Sequence, residues 1–248
     1  MLNNIHFKDY EKIVHSGPLE GVICDGKVTV TSCSKDAAEV VIPEEIDGYP
    51  VTAIAIYAFA DCISMTSVYI PDSVTEIGDI AFSYCKSLTD VRLPEGLTTL
   101  PSGCFNNCTA LAEISLPDSI TTVNPAFYGC SLLEKVDFPD NVTSVGSGAF
   151  DGTPFKENNT GEDGLFIVKG CLIDGKAYDK EELVIPEGVR CIAEDAFRGN
   201  AVLKNVTVPD SVVNIVEGAF KNCTDVSSCS GYAHGAQKQP VRELQGAY

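Results

Sequence analysis

The sequence predicts a repeat solenoid, in which the chain winds into stacked coils built mostly from strand and loop. An apolar strand ending in Pro and an acidic residue recurs with a period near 23, and about ten positions later a small residue precedes Phe. A period of this length is typical of solenoids. The fold class expected is an α/β-type repeat solenoid, a right-handed coil with one parallel, concave sheet. The prolines are Pro43, Pro71, Pro94, Pro117, Pro139, Pro186 and Pro209, and the phenylalanines are Phe59, Phe82, Phe105, Phe127, Phe150, Phe197 and Phe220.

Each coil carries seven apolar positions. Residues 72 to 94 and 95 to 117 show the pattern most clearly. The positions are Val74, Ile77, Phe82, Cys85, Leu88, Val91 and Leu93, and then Leu97, Leu100, Phe105, Cys108, Leu111, Ile114 and Leu116. Alternation of Val91 and Leu93 predicts a short strand with both side chains on one face. One coil has too few apolar side chains to offset the entropy of ordering its backbone, so the coils must stack and the Phe rings must form a column.

One segment interrupts the array, because Pro139 and Pro186 are 47 residues apart. Residues 165 to 173 predict a β-hairpin with Lys169 and Gly170 at its turn, taking the place of one coil. Residues 21 to 43 resemble a second hairpin, turning at Asp25 and Gly26. The chain is therefore expected to hold two hairpin-initiated modules in one continuous solenoid.

Both ends depart from the repeat. Residues 1–17 are expected to form a leader or cap, either a short capping helix or a disordered leader. Residues 230–248 are polar and predict a tail or linker. The full organisation expected is 1–17 leader or cap, 18–153 hairpin cap plus coils, 154–180 interrupting hairpin segment, 181–229 further coils, and 230–248 tail or linker.

The repeat unit I/L-P-D/E-x-V-x-x-I-x-x-x-A-F-x-x-C-x-x-L-x-x-I resembles the BspA-like leucine-rich repeats of bacterial and trichomonad surface antigens. The resemblance covers about residues 36 to 229. It implies a leucine-rich repeat fold and a cell-surface or secreted adhesion or binding protein, often part of a longer polypeptide, without catalytic residues. The first fifteen residues lack the apolar run of a secretory signal, so an intracellular protein and a fragment of an exported one both stay open.

Five of the 11 cysteines stand three residues after a repeat Phe. This predicted structural ladder is Cys62, Cys85, Cys108, Cys130 and Cys223. The two coils without a cysteine at this position have Thr153 and Asn200 there. All three residue types can donate to a backbone carbonyl, which favours buried free thiols. Disulfides between neighbouring rungs are the minority interpretation, because parallel Cβ directions make the dihedral hard to reach. The sequence shows no C-x-x-C pair and only His6, His15 and His234, so neither a metal site, a cofactor nor a catalytic triad is expected.

The formal net charge of −18 argues against a nucleic-acid partner, which would need concentrated Lys and Arg. An acidic residue follows every repeat Pro: Glu44, Asp72, Glu95, Asp118, Asp140, Glu187 and Asp210. Turn chemistry and solubility explain these residues best, and weak Ca²⁺ binding along this rim is the less favoured alternative. No apolar run is long enough to insert into a membrane.

Strand alternation points the residues beside Val91 outward, onto the concave side. The predicted partner-binding residues on this face are Tyr69, Asp90, Arg92, Glu113, Lys135 and Asp137. We expect a non-catalytic binding module for a protein or glycan partner. A structural spacer within a larger surface protein and an intracellular scaffold are the alternatives.

Overall fold

A computed structural model describes residues 12–226 and 228–231. It confirms the predicted solenoid: nearly all regular elements are short strands, and most consecutive coils pair in parallel. The strands are β1 Lys12–Ser16, β2 Leu19–Cys24, β3 Lys27–Cys33, β4 Glu39–Val41, β5 Glu45–Ile46, β6 Tyr49–Ile54, β7 Ser67–Tyr69, β8 Glu76–Ile77, β9 Asp90–Arg92, β10 Thr99–Leu100, β11 Glu113–Ser115, β12 Thr122–Val123, β13 Lys135–Asp137, β14 Ser144–Val145, β15 Phe166–Val168, β16 Cys171–Asp174, β17 Glu182–Val184, β18 Cys191–Ile192, β19 Asn205–Val208, β20 Asn214–Ile215 and β21 Ser228–Gly231, and one helix, α1, spans Pro154–Asn159.

The chain divides into two compact units. The first runs to Asn141 and includes Ala149–Phe155, and the second comprises Val142–Gly148 and the chain from Lys156 onward. The domain boundaries predicted from the sequence are not tested by this division and stay predictions.

The first unit begins with a sheet that caps its coils. Strands β1, β2 and β3 form an antiparallel meander, and β3 then pairs in parallel with β6, which pairs with β8. The predicted hairpin turn is present, with Asp25 and Gly26 both in left-handed conformation. The inner face of this sheet is buried, and its side chains include Leu19, Ile23 and Val28.

The short capping helix that is one alternative for residues 1–17 is a wrong prediction for residues 12–16. Residues 12–16 form β1, which pairs along its length with β2. The alternation of exposed Ile13 with buried Val14 explains this, because a period of two suits a strand that covers a sheet edge. Residues 1–11 lie outside the described residues.

The core of the first unit is a file of stacked Phe rings. Successive ring centroids from Phe59 through Phe82, Phe105 and Phe127 to Phe150 lie 4.8, 5.5, 5.8 and 5.4 Å apart, with interplanar angles of 11–19°. All five rings are buried. Offset stacking of this kind adds to burial, so each coil contributes one ring to a continuous core.

The second unit repeats the design. Strands β15 and β16 form the predicted hairpin, with Lys169 and Gly170 at its turn, and β16 pairs in parallel with β18 and β18 with β20. Strands β17, β19 and β21 form the other parallel sheet. The rings of Phe197 and Phe220 stack at 5.0 Å. Residues 232–248, which hold most of the predicted tail, lie outside the described residues.

Candidate functional site: the strand face

The candidate site is the solvent-facing side of β7, β9, β11 and β13, which we call the strand face. Its central residues Val68, Ile114 and Val136 are buried, so the flanking residues of each strand point outward. The register sets these in two rows. The first row contains Ser67, Asp90, Glu113 and Lys135. The second row contains Tyr69, Arg92, Ser115 and Asp137. In each row the first two residues are paired in register, and so are the last two.

Arg92 holds the first end of the strand face together. Its guanidinium lies over the Tyr69 ring, 4.6 Å from the centroid, while Nη2 donates to both oxygens of Asp72 at 3.1 Å and Nη1 to the Ile70 carbonyl at 3.0 Å. The hydrogen bond from Arg92 lowers the pKa of Asp72, with a second bond from the Glu95 amide. Arg92 and Tyr69 are therefore fixed relative to each other, although 41% of Tyr69 stays exposed.

Weaker polar pairs connect the other end. Lys135 Nζ lies 3.3 Å from Glu113 Oε2, and the Ser115 hydroxyl donates to Asp137 Oδ2 at 3.1 Å. The side chains of Lys135 and Glu113 are about 70% exposed, so this pair contributes little to stability. Their charges are consequently available to an incoming partner at little energetic loss.

The structure brings four of the six predicted binding residues around one depression. This depression has a volume of about 310 Å³ and is lined by Thr89, Asp90, Val91, Glu113, Ile114, Ser115, Lys135 and Asp137. Tyr69, in β7, and Arg92, at the end of β9, lie outside its lining. The predicted set is thus divided into an aromatic and cationic end and a depression with three carboxylates and one ammonium.

The depression lies where two strands fail to pair, a feature that the sequence analysis missed. Among the described residues, no ladder joins β9 to β11 or β8 to β10, although the turn segments of the same coils stay bonded through Phe82 and Cys104 at 2.9 Å. On the β8 side the cause is visible in the sequence. Pro101 occupies the position that Asn124 has in the next coil. The Asn124 amide donates to the Leu100 carbonyl, but proline has no amide hydrogen, so Pro101 cannot make the corresponding bond to the coil before it.

The repeat cysteines lie in the core and connect coils. Each thiol of Cys85, Cys108, Cys130 and Cys223 donates to the carbonyl of the Phe in the preceding coil, at 3.0–3.2 Å. At the two exceptions, Thr153 donates to Phe150 at 2.7 Å and Asn200 to the Tyr178 carbonyl at 2.8 Å. Burial raises the pKa of Cys85 and Cys130 to about 12, which keeps both protonated at neutral pH.

The described part of the chain holds no group of three or more His, Cys, Asp or Glu side chains suited to a metal ion. His15 lies in β1, whereas His6 and His234 lie outside the described residues. Within residues 12–226 and 228–231, no helix has the length and apolarity needed to cross a membrane.

The comparison with known families agrees with this geometry. The model of the BspA-type leucine-rich repeat region matches residues 52–172 and 176–232, in six copies. The chain belongs to this family. Among curated proteins, no relative matches it.

Solved structures of other leucine-rich repeat proteins are similar to this BspA-type chain. One from Bacteroides capillosus ATCC 29799 is 36% identical, with 51% of this chain and 97% of the other covered and a TM-score of 0.47. A leucine-rich cell surface protein from Faecalibacterium prausnitzii A2-165 is 26% identical, with coverages of 90% and 77% and a TM-score of 0.47. The pneumococcal vaccine antigen PcpA is 18% identical, with coverages of 90% and 71% and a TM-score of 0.49.

Proposed function

We propose that the chain is a non-catalytic binding module that presents the strand face to a protein or glycan partner at a cell surface. The observation that carries this proposal is the fixed pair of Tyr69 and Arg92 beside an open depression with charged walls. Aromatic and arginine side chains are enriched at binding hot spots, and a side chain held in place before binding loses less entropy when a partner arrives.

The architecture supports a rigid recognition surface. Backbone ladders hold β4, β7 and β9 together, and β11 with β13, while the stacked Phe rings fix the coils from inside. Repeat solenoids use such extended surfaces for binding. The family resemblance supports a location at the cell surface.

The test is a binding screen of the full chain against extracellular matrix proteins and a glycan array. The variant carries Tyr69→Ala, Arg92→Ala and Lys135→Ala together. We expect any captured partner to bind this variant at least about tenfold more weakly, since truncation of one hot-spot residue costs roughly 2 kcal/mol.

The control variant removes the same residue types from other exposed positions: Tyr128→Ala, Arg198→Ala and Lys86→Ala. It should bind like the unmodified chain, and thermal melts should show that both triple variants are folded. Equal loss in both variants would contradict a site on the strand face. Failure of the full chain to capture any protein or glycan would favour a structural spacer instead.

A further inference from the structure

The first rung of the cysteine ladder differs from the others. The coil that contains Cys62 follows the β2–β3 hairpin, so its thiol has no preceding repeat Phe to bond. Its nearest carbonyl partner is that of Cys33, at 4.0 Å, compared with 3.0–3.2 Å at Cys85, Cys108 and Cys130. The Cys62 thiol is therefore not locked to the backbone as the later rungs are.

Two other groups approach the Cys62 sulfur. The Cys33 thiol, which donates to the Ser34 carbonyl at 3.6 Å, is close enough to shift the pKa of Cys62, and Lys35 Nζ lies 3.8 Å from Cys62 Sγ while also donating to the Ala60 carbonyl. Cys33 is 5% exposed and Cys62 is fully buried, but Lys35 is an exposed residue on the surface above them. The flexible side chain of Lys35 therefore lies between this thiol pair and solvent.

The electrostatics of this pair favour a thiolate on Cys62. The neighbouring Cys33 thiol lowers the pKa of Cys62, and the ammonium of Lys35 lowers it further against the opposing effect of burial. The neighbouring Cys62 and burial raise the pKa of Cys33, which stays protonated. A thiolate beside a lysine is the reactive form of cysteine.

We propose that Cys33 and Cys62 form an oxidation-sensitive dithiol, in which hydrogen peroxide converts the two thiols into a disulfide that ties the β2–β3 hairpin to the first coil. The Cys62 thiolate attacks one peroxide oxygen, the O–O bond breaks, and the departing hydroxide takes a proton to become water. The Cys33 sulfur then attacks the resulting sulfenic acid. Its proton and the sulfenic hydroxyl leave as a second water, so two thiols and one peroxide give one disulfide and two waters.

A second thiol pair shows the same opposed pKa shifts, lowered at Cys171 and raised at Cys191, but differs in geometry. Cys171 and Cys191 are paired in register on the parallel strands β16 and β18, and both are fully buried. Their thiols donate to the carbonyls of Val142 and Thr143, at 3.4 and 2.9 Å. Register-paired side chains leave parallel strands in the same direction, which disfavours the disulfide dihedral. We expect this pair to react more slowly than Cys33 and Cys62.

The experiment treats the reduced full chain with hydrogen peroxide, removes the peroxide with catalase, and alkylates the remaining thiols in denaturant before peptide mass spectrometry. Cys33 and Cys62 should lose alkylation together, a peptide linking them should appear, and dithiothreitol should restore both. Cys85, Cys108 and Cys130 should stay alkylated. Oxidation of Cys62 no faster than of Cys108, or linkage to another cysteine, would overturn the proposal.

Variants separate the roles of the two side chains that face Cys62. Lys35→Met should slow oxidation roughly tenfold, which corresponds to a thiol pKa higher by one. Lys27→Met, on an exposed lysine of the same hairpin, should leave the rate unchanged. Cys33→Ser should stop the reaction at a sulfenic acid on Cys62 that dimedone traps. An unchanged rate in Lys35→Met would overturn the assigned role of the ammonium even if Cys33→Ser fails to fold.

Discussion

All but one of the repeat Phe residues stand between two residues with left-handed backbone. Positive φ angles occur two residues after every repeat Phe and two residues before all but one of them. The residues after are Asp61, Tyr84, Asn107, Gly129, Gly152, Gly199 and Asn222, and those before are Tyr57, Ile80, Gly103, Gly148, Asp195 and Gly218, with Pro125 as the exception. Gly, Asn and Asp tolerate this conformation, which explains their frequency there, whereas Tyr and Ile are strained in it.

The strain at Tyr84 leads to a stability prediction. Tyr84 has φ 61° and is 46% exposed, so its side chain gains little from burial. Tyr84→Asn should raise the free energy of unfolding by about 0.5–1 kcal/mol, because Asn adopts the left-handed region more easily. Urea denaturation measures the change.

The reciprocal substitution is the control. Gly129 occupies the same position one coil after Asn107, and an added Cβ would lie 2.6 Å from Asn107 Oδ1. Gly129→Ala should lower the free energy of unfolding by about 1–2 kcal/mol, through strain and contact together. A loss of stability in Tyr84→Asn would show that this ring makes a contribution beyond its backbone conformation.

The cysteine ladder gives a second prediction at this scale. Cys108 is fully buried, and its thiol donates to the Phe82 carbonyl at 3.2 Å. Cys108→Ala should lower the free energy of unfolding by about 1–2 kcal/mol, because it removes both a donor and packing volume. Cys108→Thr keeps a hydroxyl donor, which at Thr153 bonds the Phe150 carbonyl of its own coil, and should lose less in the same urea titration. Equal losses in the two variants would mean that packing alone matters at this rung.

At the scale of elements, the coils are not joined equally. The amides of Glu134 and Lys135 both donate to Ala112, and those of Thr89 and Asp90 both donate to Thr66. At the junction between β9 and β11, the corresponding amides of Ala112 and Glu113 make no backbone hydrogen bond within the part of the chain that the structure describes. Both residues are exposed, so solvent reaches these amides.

Hydrogen exchange followed by NMR tests this difference. The amides of Ala112 and Glu113 should exchange faster than those of Glu134 and Lys135, since exchange from an unbonded, exposed amide needs no local opening. The Phe82 amide, bonded to Cys104 at 2.9 Å in the same junction, should stay protected and serves as the internal reference. Equal protection at Ala112 and Glu134 would show that the strand ladder closes in solution.

The sequence predicted some elements well and others poorly, for identifiable reasons. Both hairpin turns were predicted because Asp25–Gly26 and Lys169–Gly170 lie between alternating strands, and the structure gives all four residues positive φ. The two-residue strands such as β10 and β12 are too short to show alternation, so they were missed. Helix α1 was missed for the same reason, since six residues carry less than two turns of periodicity.

At the scale of the whole molecule, strand alternation predicted which residues face solvent but not what they bind within the chain. Tyr69, Asp90 and Lys135 are exposed as expected. The clamp between Arg92 and Asp72 joins residues 20 positions apart and depends on how neighbouring coils are stacked, which the repeat pattern alone does not fix. That these residues form a partner-binding site stays a prediction.

The net charge of −18 yields a prediction for the whole chain. The acidic residue after each repeat Pro is exposed, so like charges recur along the array and repel one another. Raising NaCl from about 0.01 to 0.15 M shortens the screening length from about 30 to 8 Å and should raise the Tm by about 2–4 °C, as expected for roughly 1 kcal/mol of relieved repulsion. CaCl₂ at equal ionic strength should have the same effect as NaCl, because we expect turn chemistry and solubility, and not a metal site, to account for these carboxylates. A variant with Glu95→Gln and Asp118→Asn should melt higher at low salt and respond less to NaCl. If millimolar CaCl₂ raised the Tm well beyond matched NaCl, and this excess were lost in the variant, the acidic rim would be a calcium site after all.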